Sequence, residues 1–132
     1  MSSLFSAYCW DTLTPENIPP DTNSLCIIHM PRGPWDESKC HGLFAAVPHL
    51  TRLTFRHLDY TPASWTVLGA ALLLTPHVNY LNVTDCRLKD NDLLTILNGC
   101  TLELCELNLT GNPLKFKNEG LIRRLQTFTN LQ

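Results

Sequence analysis

The chain has 132 residues, 44% hydrophobic and 17% charged, with a formal net charge of −2. A chain of that size is expected to form one domain with a substantial core. Without a surplus of Lys and Arg to neutralise phosphates, nucleic acid is not expected as the main partner, and no block of like charge forms a basic arm or acidic tail.

Met1-Ser2-Ser3-Leu4-Phe5 lacks the basic stretch and apolar core of a signal peptide, which predicts a cytoplasmic protein. The most apolar run, Val67 to Leu74, is too short to span a bilayer and leads into Thr75-Pro76-His77, so no membrane span is expected. The six cysteines, Cys9, Cys26, Cys40, Cys86, Cys100 and Cys105, read as reduced thiols in that setting, with disulfides as the alternative. Two sequons, Asn82-Val83-Thr84 and Asn108-Leu109-Thr110, fall in predicted strands and carry no sugar without secretion.

Residues 1–24 form an N-terminal segment. Leu4, Phe5, Tyr8, Cys9 and Trp10 predict a short helix over 4–12 that shields the first strand, or else a partner-binding segment. Thr14 to Asp21, with three prolines, is turn-rich. Leu25-Cys26-Ile27-Ile28-His29-Met30 is the first predicted strand, and Glu37 to Val47 the first helix, ended before Pro48. Leu50 to Phe55 is the second strand. Thr61 then reads as an N-cap with Pro62 at the first helical position. Val67, Leu68, Ala71 and Leu72 supply an apolar stripe, and this helix runs to about Leu74. Val78 to Val83 is the third strand. Asp90 or Asn91 caps a helix carrying Leu93, Leu94, Ile96 and Leu97, stopped by Asn98-Gly99. Leu104 to Leu109 is the fourth strand, followed by a helix with Gly120, Leu121, Ile122, Leu125 and Phe128 inward.

These strands share a pattern. Leu50-Thr51-Arg52-Leu53-Thr54-Phe55, Val78-Asn79-Tyr80-Leu81-Asn82-Val83 and Leu104-Cys105-Glu106-Leu107-Asn108-Leu109 all read apolar-x-x-apolar-x-apolar. The starts lie 28 and 26 residues apart, and the last two blocks continue to Cys86-Arg87-Leu88 and Asn112-Pro113-Leu114. In that slot a Cys or Asn side chain turns inward and bonds backbone groups left over by the tight turn. Leu58 and Gly33 occupy it in the earlier blocks, where a less regular backbone is expected. The first block, aligned with Leu25 on Leu50, fits more loosely, and Leu131 starts a truncated fifth.

The pattern resembles the leucine-rich-repeat family over residues 25–132, with repeats starting near 25, 50, 78 and 104. Repeats of this length with true helices resemble the ribonuclease-inhibitor-type subclass. The resemblance implies an α/β solenoid: a short right-handed horseshoe arc, parallel strands on the concave face and helices on the convex one. With no cap after the fourth helix, the chain reads as a fragment of a longer repeat protein or a short product, or as one that associates through that end. Trp65, Trp35 and Trp10 are expected in the core.

Partners of the family usually dock on the concave face. Carried onto this sequence, that face holds three columns: Ile27, Arg52, Tyr80 and Glu106; His29, Thr54, Asn82 and Asn108; Pro31, Arg56, Thr84 and Thr110. Arg52, Arg56 and Tyr80 are the strongest candidate hot spots, because Arg and Tyr dominate interface energies; Asn82 and Asn108 also fit a solvated polar ladder. Catalytic signals are absent. The histidines are scattered, no Cys-x-x-Cys or phosphate loop occurs, and Arg56-His57-x-Asp59 is an ordinary polar strand end. The expectation is a non-enzymatic adaptor without metal or cofactor that binds a protein. The alternatives are an assembly subunit, or a regulator acting in trans on a ubiquitin ligase or a GTPase.

Overall fold

The computed structural model describes residues 4–7, 18, 22–28, 37–56, 62–101 and 103–128. Strands and helices alternate along most of it. In order they are β1 (Leu4–Ala7), β2 (Ser24–Ile28), α1 (Glu37–Ala45), β3 (Arg52–Arg56), α2 (Pro62–Ala71), β4 (Tyr80–Thr84), α3 (Asp90–Leu97), β5 (Glu106–Asn108) and α4 (Glu119–Gln126). A 3₁₀ turn, Leu72–Leu74, extends α2. The strands form one parallel sheet in sequence order, β1-β2-β3-β4-β5.

Period-2 patterning makes the strands. In β3, Leu53 and Phe55 are buried while Arg52 and Arg56 are exposed. The register sets Leu25, Leu53, Leu81 and Leu107 side by side as one row, with Phe55 beside Val83 in the next. Full burial of each such side chain is worth about 1.5–3 kcal/mol.

That register corrects the alignment of the first strand. Leu25 faces Leu53 rather than holding the place of Leu50, and Thr22, buried at 1% exposure, stands three residues before it. The cause is a row of shared carbonyls. Asn23 O accepts from Thr51 N and Arg52 N at 2.9 and 3.0 Å; Thr51 O accepts from Asn79 N and Tyr80 N; Asn79 O accepts from Cys105 N and Glu106 N. Repeated hydrogen bonds of this kind leave a strand no freedom to slip. Ile27 therefore pairs with Phe55, and Ser24, Cys26 and Ile28 take the places expected for Ile27, His29 and Pro31. His29 and Pro31 lie outside the described residues.

Residues 4–7 are also not helical. They pair in parallel with β2, Leu4 beside Ser24 and Ala7 beside Ile27. The free backbone groups along β2 hold an extended partner, which a helix could not supply. Among the described residues the sheet thus has five strands, one more than the repeat pattern predicts.

The helices cover one face. Leu43 and Phe44 from the first, with Val47 just beyond its end, Trp65, Leu68 and Ala71 from the second, Leu93, Ile96 and Leu97 from the third, and Leu121 from the fourth are buried with the strand leucines. Trp65 meets Phe55 edge-on, centroids 6.3 Å apart, in the core position expected of it; Trp10 and Trp35 lie outside the described residues. Ile122 is 38% exposed rather than inward, since its neighbour Leu121 already takes the core position. The second helix stops at Thr75, whose hydroxyl and amide both donate to Leu72 O, just before Pro76. Thr61, the expected cap, lies outside the described residues. No described helix is long and apolar enough to cross a membrane.

The Cys/Asn slot is filled as its chemistry predicts. Asn112 donates to Val83 O and Leu109 O at 2.6 and 2.9 Å and accepts from Cys86 N and Leu88 N at 2.9 and 3.1 Å. Cys86, fully buried, donates its thiol to Thr84 O and Phe55 O. The positions of Gly33 and Leu58 fall outside the described residues. Cys26, Cys86, Cys100 and Cys105 are free thiols.

Candidate functional site

On the sheet face away from the helices, the strand register brings the predicted positions together. Arg52, Tyr80 and Glu106 form one row; Thr54, Asn82 and Asn108 a second; Arg56 and Thr84 a third. Arg52, Arg56, Glu106, Asn108 and Thr110 are exposed, and Thr54, Tyr80 and Thr84 half-buried. The Arg52 guanidinium lies over the Tyr80 ring, 4.0 Å from its centroid. That stacking holds a cation and an aromatic in one fixed arrangement without removing either from solvent contact.

Asn82 departs from its expected place on the accessible surface. It is only 3% exposed, donates to the Tyr80 hydroxyl at 3.2 Å and accepts from the Thr84 hydroxyl. Asn108 accepts from the Thr110 amide and hydroxyl at 3.1 and 2.6 Å. The two asparagines are neighbours in register, but each bonds within its own strand region, so they build no shared ladder. Asn82 instead links the Tyr80 and Thr84 hydroxyls along its own strand. Beside it, Tyr80, Glu106, Leu107 and Asn108 line a shallow groove. Cys26 joins the second row, its thiol pKa raised by burial and drawn partly back by Arg56.

The described groups of this face are a stacked Arg–Tyr pair, a second Arg, an exposed Glu and hydroxyls, all able to form hydrogen bonds or ion pairs. Among the described residues no group of three or more His, Cys, Asp or Glu could hold a metal ion. His77 sits in the open, with Nδ1 3.2 Å from a Glu103 carboxylate oxygen. His57 and Asp59, the companions of Arg56 in the polar strand end, lie outside the described residues.

A second concavity escaped the sequence reading. It lies beyond the strand ends, lined by Lys89, Asp90, Asn91, Pro113, Lys115, Lys117 and Asn118, with a volume of about 610 Å³. Asp90 or Asn91 is the expected cap of the third helix. Lys89 holds the cap position instead, with its amide donating to Asp92 Oδ2 at 3.1 Å. The Asp90 carboxylate accepts four backbone amides of the next loop: Lys115 and Phe116 on Oδ1, Lys117 and Asn118 on Oδ2, at 2.8–3.2 Å. Those bonds, that of Lys115 first, hold its pKa below 3.8 despite partial desolvation. The loop they clamp presents Phe116 at φ 53°, a left-handed conformation unusual for a bulky residue, with its side chain 47% exposed. A signal was available: Lys89 and Lys115 stand 26 residues apart, the same offset as Leu81 and Leu107, so the repeat sets them side by side.

Compared with protein-family models, curated proteins and solved structures, the chain matches none of them.

Proposed function

We propose that the chain is a right-handed leucine-rich-repeat arc that binds a protein partner through the open face of its sheet, as an intracellular, non-enzymatic adaptor without cofactor. The observation that carries this reading is the stacking of Arg52 on Tyr80, flanked by Arg56 and Glu106, on a face that no described helix covers. An ordered aromatic and cation lose little conformational entropy on docking, and such residues supply most interface energy. The aligned leucine rows and the carbonyl row support the repeat architecture.

Affinity capture with the full chain tests it. Arg52→Glu together with Arg56→Glu should remove the captured partners while far-UV circular dichroism and the thermal midpoint stay unchanged. An identical set of partners on the doubly reversed chain overturns the assignment of the face.

A second reading, an assembly subunit, is favoured by one observation. Leu107, Leu109 and Leu114 are partly exposed, whereas Leu81, Val83 and Leu88, one strand–helix unit earlier, are buried. Its test is the oligomeric state.

A further inference from the structure

The concavity beyond the strand ends has a charge at odds with the chain around it. Lys89, Lys115 and Lys117 are all exposed around it, and none makes an ion pair with a described acid. The nearby acids are engaged elsewhere. Both oxygens of Asp90 are taken by backbone amides, Asp92 accepts from Lys89 N, and Glu119 pairs with Arg123 at 3.3 Å. A chain of net charge −2 thus gathers a local excess of positive charge in a concave place. Arg56, exposed at the end of β3, continues the same edge of the sheet.

We propose that this cavity receives an acidic segment of a protein partner, whose carboxylates meet Lys89, Lys115 and Lys117 one by one. The inference rests on the reading of the chain as a protein-binding module and adds the chemistry of the partner. A phosphate group would fit less well. Consecutive amides 115–118 form the kind of nest that cradles an oxyanion, but the Asp90 carboxylate already fills it. What remains is a set of separate point charges carried by two successive loops. Lysine ammonium groups, each a compact point charge on a flexible stem, suit dispersed single charges better than one dianion. The clamp on loop 115–118 also fixes the backbone that carries Lys115 and Lys117 before any partner arrives, which lowers the entropic cost of ordering the loop on docking.

The test uses the full chain and a fluorescent Glu/Asp-rich peptide followed by anisotropy. Binding should be seen at low ionic strength and weaken as salt is added. Lys89→Gln, Lys115→Gln and Lys117→Gln combined should weaken it about tenfold, with unchanged circular dichroism. Lys115→Gln alone should give a smaller loss in the same direction. Absence of binding by the unaltered chain, or equal binding by the triple variant, overturns the site. So does displacement of the peptide by inorganic phosphate at lower concentration than by unlabelled peptide, which would assign a phosphate ligand. Arg123→Gln, a charge loss on α4 outside both proposed surfaces, should leave the peptide binding unchanged. Loss there equal to that of the lysine variant would make the binding a matter of overall charge and overturn the cavity, whereas failure of the sheet-face capture experiment alone leaves the peptide result standing.

Discussion

At the scale of single residues, polar side chains do their work by satisfying backbone groups that the tight turns strand. Asn112 uses both halves of its amide on four such groups, and Arg124 does the same for a helix end, donating to Leu97 O and Cys100 O while lying 4.7 Å over the Phe128 ring. Cys100, beside it, is pushed up to about 12 by burial, with Arg124 opposing, so it stays a thiol and is a poor nucleophile. Asp90 carries a consequence for pH. Its folded pKa lies below 3.8, so the clamp on loop 115–118 is complete above that value and is lost as pH falls through the lower folded pKa. Asp90→Asn should therefore lower the thermal midpoint at pH 7, and the gap from the unaltered chain should narrow as pH drops below 3.8. A gap that is constant with pH would show that the carboxylate charge is not what holds the loop.

At the scale of elements, the approach of the second and third helices depends on two glycines. A Cβ on Gly99 would lie 1.9 Å from Gly69 O, and one on Gly69 would lie 2.6 Å from Thr95 O. Both obstacles are backbone, which cannot swing aside as a side chain can. Gly99→Ala should cost about 3 kcal/mol, at the upper end for overpacking, despite the helix-end position of the residue. Chemical denaturation measures this directly; a loss below about 0.5 kcal/mol would mean that the helices part without strain. The strands show the same dependence on backbone. Bonding to Asn23, Thr51 and Asn79 carbonyls sets where each begins, and the leucine rows follow from it.

At the scale of the molecule, five parallel strands and the helices between them bury one continuous core that thins toward β5. Leu107 holds the row of Leu25, Leu53 and Leu81 but is only half-buried, because no described strand lies on its far side. If that surface is used for assembly, light scattering should show the mass rising with concentration. Leu107→Lys should then return the chain to monomer mass. A concentration-independent monomer removes the assembly reading and leaves the open sheet face as the proposed binding surface.

Local chemistry made much of this legible before any coordinates. Hydrophobic period separates strand from helix, so the blocks at Leu50, Val78 and Leu104 and the helices after them follow from neighbours within one turn or pleat. Asn112 and Cys86 were recognisable because turn chemistry is equally local. Most of the predicted face was legible too, since alternation alone sets Arg52, Tyr80 and Glu106 on one side of the sheet. Tertiary structure decided what depends on partners about 20–30 residues away. It shifted the first strand by three positions, drew residues 4–7 into the sheet and made Asp90 a clamp on the next loop. In each case backbone groups supplied by another segment competed with the local preference and won, and no stretch of sequence read by itself contains both competitors.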